Sequence, residues 1–137
     1  MSEGVKFFYL AGRFSRKDEL AGYAKDLEAA GHTVTSRWLT GTHDATSERE
    51  LTSDELAEFA YEDLDDIDDS DIFVLFTETP DAGYTSGGRM VEFGYAMNHT
   101  SRFIRVMVVG PRENVFTHIL NADCVFPDWQ AFREAML

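Results

Sequence analysis

The constraint that acts first on this chain is a repeated change of apolar period. Residues 71–77 read Asp-Ile-Phe-Val-Leu-Phe-Thr, five consecutive apolar side chains bounded by polar ones. A run this short and this rich in branched and aromatic residues predicts a central strand. Residues 5–11, Val-Lys-Phe-Phe-Tyr-Leu-Ala, predict a buried first strand. Between these runs the spacing becomes helical. Ser15 and Asp18 resemble a capping box, opening a helix with Leu20, Ala24 and Leu27 on one face and Gly31 closing it. A second strand is expected over about 32–38, then a polar loop over 41–49. Thr52 and Glu55 form a second capping-box pattern, ahead of Leu56, Phe59, Ala60, Leu64 and Ile67 at helical spacing.

The alternation continues. A loop is expected over about 78–88, a helix over 89–98, a strand over 103–109 and a short helix over 114–120. An edge strand follows at 124–126, and Asp128 can cap a terminal helix. Strands alternating with helices imply a parallel sheet covered on both faces. In such α/β folds ligands bind beyond the carboxyl ends of the strands. The loops after Ala11, Trp38 and Thr77 are therefore where function is expected.

The chain has 137 residues and no repeat, linker or low-complexity segment, which predicts one domain over 1–137. Its net charge of −13 gives a surface that repels phosphate backbones, so no nucleic acid polymer is expected as a partner. A small anionic ligand, which feels a local pocket, is not excluded. The first residues carry no basic segment and long apolar run, so no signal peptide is expected, and no membrane association either. Cys124 is the only cysteine, which points to a reducing, cytoplasmic setting. His32, His43, His99 and His118 are scattered, so neither a metal nor another cofactor is expected. The sequon at Asn98-His99-Thr100 carries no meaning in that setting.

The loop after the first strand, Gly12-Arg13-Phe14-Ser15, lacks both the dinucleotide fingerprint and the P-loop pattern. Arg13, Ser15 and Arg16 beside a helix N-terminus can bind an anion or form a plain capped turn. The loop after the central strand is richer. In Thr85-Ser86-Gly87-Gly88-Arg89-Met90-Val91-Glu92-Phe93-Gly94, two glycines allow close approach of a ligand and Ser86 offers a hydroxyl. Glu92 is placed in the first turn of the next helix, where the macrodipole favours an ionised carboxylate. Such a carboxylate can attack an anomeric carbon, or it can merely compensate the dipole.

Asp63 lies on the apolar stripe of its helix, a costly place for a carboxylate without a partner or a function, or else at the stripe's edge. Glu62, Asp65, Asp66 and Asp68 read as mostly solvated. Tyr9 is either a core residue or a hydroxyl donor near the carboxyl end of strand one. Trp38 can stack on a flat base or pack.

Taken in order, these pieces resemble the nucleoside 2-deoxyribosyltransferase family and its 2'-deoxynucleoside 5'-phosphate N-hydrolase relatives. Tyr9 is followed by Gly12. Asp63 stands eight residues before the Asp71 that opens the Asp-Ile-Phe-Val strand. That strand leads into a Gly- and Ser-rich loop. Glu92 lies within Gly88-Arg89-Met90-Val91-Glu92-Phe93-Gly94-Tyr95-Ala96, which is similar to the family's GxxxExGxA segment. The resemblance spans 6–110 and, more loosely, the C-terminus.

It implies a flavodoxin-like, doubly wound five-stranded parallel sheet. It also implies Glu92 as nucleophile at C1', Asp63 assisting proton transfer to the leaving base, and Tyr9 orienting Glu92. Where the transferases carry an aspartate six residues before the glutamate, this chain has Ser86, as the monophosphate hydrolases do. That points to a nucleoside 5'-monophosphate, with Ser86, Gly88 and either Arg13 or Ser15 near the phosphate. Against it, Arg13 replaces those hydrolases' serine after Gly12.

The family assembles as homodimers or larger homo-oligomers in which a neighbour completes the pocket. Residues 110–118, with Asn114, are the candidate contribution; helix capping by Asn114 is the alternative. Hydrolase and transferase both remain open. A nucleotide-sensing module without chemistry would keep Ser86 and the glycines but not need Glu92. A flavodoxin-like electron carrier would need a phosphate loop and flavin-stacking aromatics that are absent from the pattern.

Overall fold

Alternate side chains of the central strands point to opposite faces, and this period sets up the layers. A computed structural model describes residues 4–41, 51–83 and 87–137. Strands β1 (Phe7–Ala11), β2 (Thr33–Val34), β3 (Ile72–Phe76), β4 (Arg105–Val109) and β5 (Val125–Phe126) form one sheet in the order β2-β1-β3-β4-β5, with every pairing parallel. The order is that of a flavodoxin-like fold, as the resemblance implies. β3 is buried along its whole length, as its unbroken apolar run requires.

Four helices cover the sheet: α1 (Lys17–Ala29), α2 (Ser53–Asp68), α3 (Gly88–Met97) and α4 (Trp129–Met136). Phe8 packs edge-on against Phe132 of α4, and Phe76 stacks on Tyr23 of α1, so the even positions face α1 and α4. Tyr9 pairs with Phe73 in register and stacks on it at 5.5 Å, facing α3. Leu20, Ala24 and Leu27 are the buried face of α1, as their spacing predicts.

The helix ends follow the sequence signals in part. The Thr52–Glu55 capping box forms, and the Asp128 carboxylate accepts the Ala131 N–H at 2.9 Å. Gly31, at φ 95°, closes α1 as the left-handed residue of a Schellman motif, with the His32 N–H donating to the Leu27 carbonyl. Ser15 is a correction. It lies inside a 3-10 turn (Phe14–Arg16), and α1 begins after Arg16 with no side-chain cap.

Two further expectations change. The second strand is only two residues long, because the Ser36 hydroxyl takes the Leu10 N–H at 2.7 Å and the chain turns into a 3-10 segment (Arg37–Thr40). The apolar stripe of α2 is buried only at Ile67. Phe59 and Leu64 are half-buried, while Ala60 and Leu56 (52% exposed) face outward. The amino-terminal half of that helix overhangs the sheet. Most of the expected polar loop, 42–50, lies outside the described residues.

Candidate active site

Three elements converge below the carboxyl half of β1. The Tyr9 hydroxyl donates to Glu92 Oε2 at 3.0 Å, across 83 positions of sequence. Asp63, presented by α2, is hydrogen-bonded to the same carboxylate. Two ionised carboxylates cannot share such a bond, so one of them carries a proton. The bond favours the charged form of Glu92.

Burial pushes the Glu92 carboxyl above the ordinary glutamate range. The bonds from Asp63 and Tyr9 pull it back, and the charge of Asp66 pushes it up again. The Tyr9 phenol is fully buried and is raised well above its ordinary value by burial, then by Glu92 and Asp63. It therefore stays a proton donor at any pH a cell reaches. The arrangement holds an ionisable carboxylate that a phenol orients and to which a second carboxyl is hydrogen-bonded.

Glu92 is the fifth residue of α3, not in its first turn as the sequence suggested, because the helix starts at Gly88 after a left-handed Gly87 (φ 85°). The macrodipole falls off within the first turn, so the hydrogen-bond donors carry more of the effect.

The other expected residues are more dispersed. Gly12 lets its loop approach α1, since a Cβ there would stand 2.9 Å from Leu20 Cδ2. Arg13 donates to the Ala82 carbonyl at 3.1 Å and lies 3.7 Å from Glu78, while Arg16 binds Glu78 at 2.8 Å and Glu19 at 2.8 Å. The first-loop arginines are thus drawn onto the segment that leaves β3. Gly88 is the first residue of α3, and Ser86 lies outside the described residues.

Trp38 is a correction. It is 6% exposed and its indole N–H donates to the Leu10 carbonyl at 2.9 Å, so the turn after β2 folds it into the core instead of presenting it to a base. Asn114 adopts the capping alternative. Its Oδ1 accepts the N–H groups of Phe116 and Thr117 at the head of a 3-10 segment (Val115–Ile119). It also lines an apolar groove of about 330 Å³ with Met90, Phe93, Gly94, Met97 and Phe116, which does not include Tyr9, Asp63 or Glu92.

Sequence reasoning missed two charged pairs. Asp66 was read as solvated, yet it is 3% exposed and accepts from both the backbone N–H (2.9 Å) and Nε (2.8 Å) of Arg37. Its spacing of three from Asp63 was the available signal. Arg89 is buried and makes a bidentate pair with Glu113 at 2.8 and 2.7 Å, for which the sequence held no signal. Asp68 also has partners, the Tyr95 hydroxyl at 2.6 Å and His99 Nε2 at 2.8 Å.

Among the described residues no three His, Cys, Asp or Glu side chains are grouped to hold a metal ion, and no helix is long and apolar enough to cross a membrane.

By sequence, no protein-family model and no curated protein matches the chain. Solved structures do match. The 2-deoxyribosyltransferase of the psychrotolerant bacterium Bacillus psychrosaccharolyticus superposes with a TM-score of 0.62 at 21% identity, over 90% of this chain and 88% of that one. The CMP N-glycosidase BcmB of Clostridium botulinum superposes with a TM-score of 0.57 at 15% identity, over 94% of this chain and 96% of that one. The chain therefore has the flavodoxin-like fold of these two proteins along nearly its whole length.

Proposed function

We propose that this chain, as one nucleoside 2-deoxyribosyltransferase-like domain, cleaves or exchanges the N-glycosidic bond of a nucleoside or nucleoside 5'-monophosphate through a glycosyl-Glu92 intermediate. The observation that carries the reading is the shared carboxylate: Glu92 accepts from Tyr9 at 3.0 Å and is hydrogen-bonded to Asp63, which supports assigning them as nucleophile, orienting group and acid. The two similar structures, a deoxyribosyltransferase and a CMP N-glycosidase, support the same bond as target.

In the first step the Glu92 oxygen forms a bond to C1' as the C1'–N bond breaks, and the proton on Asp63 passes to the leaving base. In the second, water or another base displaces Glu92 and returns a proton to Asp63. Tyr9 keeps the attacking oxygen aimed and assists its departure. Ser86, Gly88 and Arg13 are assigned to a 5'-phosphate; Gly12 gives that loop its close approach. The second protein's name supports a monophosphate substrate. Residues 110–118 are assigned to a neighbouring subunit's pocket, with Asn114 capping the turn that presents them.

The test is free-base release from a panel of deoxynucleosides and their 5'-monophosphates, with and without an acceptor base, beside Glu92→Ala. Release that disappears in the variant supports the reading, and dependence on acceptor separates transferase from hydrolase. No release from any substrate, or release unchanged by the substitution, overturns it in favour of a binding module.

A further inference from the structure

Asp66 lies one helical turn beyond Asp63, so the two share a face of α2. Its carboxylate is held by the backbone N–H and the Nε of Arg37, and its backbone carbonyl accepts the Thr35 hydroxyl at 2.8 Å. Arg37 opens the turn after β2 and also lies 3.6 Å from Glu62. The pair therefore bridges α2 and the end of β2, and neither residue has a part in the glycosidic step. The Asp66 side chain is 5% exposed but the Arg37 side chain is 52% exposed, so water screens one partner while the other is desolvated, and the pair adds little to stability. A pair of this kind beside a carboxylate cluster calls for another reason.

We propose that the Asp66–Arg37 pair is a positioning unit for the candidate active site. It fixes the turn of α2 that presents Asp63, and it places the Asp66 charge, compensated by Arg37, on the same face of that helix. The inference rests on Glu92 being the nucleophile. The groups facing Glu92 are Asp63 and Asp66 from α2 and Tyr9 from β1, with Arg37 and Glu62 reaching it through Asp66. On its own helix, Arg89 is turned to Glu113 and Tyr95 to Asp68, and His99, just past the end of that helix, also binds Asp68.

Two substitutions separate charge from scaffolding because they act with opposite sign. Asp66→Asn removes the negative charge and leaves Arg37 uncompensated, so Glu92 ionises at lower pH. Arg37→Gln leaves Asp66 uncompensated, so Glu92 ionises at higher pH. The double variant is expected between them. The titration is read by carbon-13 NMR of the Glu92 carboxyl, assigned with Glu92→Gln, and separately by the acid limb of kcat/KM for base release.

Opposite displacements in both readouts support the proposal. Displacement in the same direction, or none, overturns it, whatever happens to the rate. Opposite NMR displacements in a protein that releases no base keep the positioning unit and sink the glycosidic reading. If Asp66→Asn does not fold, Arg37→Gln must raise the titration and Arg37→Lys, which keeps the charge, must return it toward wild type.

Discussion

Replacing Glu113 by Gln tests how the start of α3 is anchored. The Arg89 side chain is 3% exposed, both its terminal nitrogens bind Glu113, and its Nε is buried with no hydrogen-bond partner among the described residues. The same carboxylate accepts the Glu78 N–H at 2.8 Å, joining the segments that leave β3 and β4. Glutamine keeps the volume and removes the charge, so the guanidinium is left buried beside a neutral group.

Breaking a buried pair from one side costs about 3–5 kcal/mol. Glu113 is 22% exposed, so water relieves part of this and the lower end applies, about 3 kcal/mol. For a domain of this size that is a fall in Tm of about 10 °C. Urea unfolding at pH 7, followed by circular dichroism, measures it. Arg89→Met with Glu113→Leu removes both charges and is expected to recover most of the loss.

The pH dependence has a definite sign. Burial alone would raise the Glu113 carboxyl, but the Arg89 hydrogen bonds, the Glu78 N–H and the charges of Arg89 and Arg13 more than offset it and hold it below its ordinary 4.5. Its contribution is complete above that value and is lost as pH falls through the lowered one, so wild type and variant converge in acid. A Glu113→Gln protein within about 1 kcal/mol of wild type at pH 7 would refute the buried-charge argument.

Two further outcomes follow from the Glu92 cluster. In Tyr9→Phe the ring keeps its stacking on Phe73 and only the hydroxyl is lost, so Glu92 loses a donor that favours its ionised form. The acid limb of kcat/KM is expected to move to higher pH; an unmoved limb would show that the bond does not act on the nucleophile. In Glu92→Gln, base release is lost but stability near neutrality is retained or improved. The raised carboxyl makes wild-type stability decline as pH climbs from its ordinary 4.5 through the folded value, and Gln removes that decline. Denaturant midpoints at pH 4.5 and 7 check this, and a variant less stable than wild type at both would count against burial as the cause.

The parallel sheet and its covering layers were legible because they follow from period, whereas the strand order came only from the family resemblance. The run of 72–76 and the stripe Leu20, Ala24, Leu27 leave few alternatives, and both are buried. Local polarity misled where a tertiary partner overrides it. Asp66 sits in a dense acidic stretch and looks solvated, but Arg37, 29 positions away, takes it inward. Leu56 and Ala60 have helical apolar spacing yet face outward, because spacing shows which residues share a face and not whether the sheet reaches it. Trp38 shows another miss: it was expected to end the second strand, but the Ser36–Leu10 bond, which shortens β2 and leaves Trp38 in a 3-10 segment, was not visible in sequence. The pairing of Tyr9 with Glu92 was reachable only through an ordered set of residues, since 83 positions separate them.

The proposed chemistry depends on where a single proton sits. Tyr9, Asp63, Glu92 and Asp66 bring three carboxyls and a phenol together, and ionising all three carboxyls would repel them apart. The structure treats them unequally. Asp66 is paired with Arg37, Glu92 accepts from Tyr9 and is bonded to Asp63, and the proposed chemistry assigns the proton of that last bond to Asp63. Attack at C1' uses both halves of that asymmetry at once: Glu92 gives an electron pair as Asp63 gives its proton. Moving the proton from Asp63 to Glu92 would remove the nucleophile and the acid together. Activity is therefore bounded on both sides, below by protonation of Glu92 and above by loss of the Asp63 proton. The two limbs belong to the coupled pair, so a substitution that displaces one displaces the other as well.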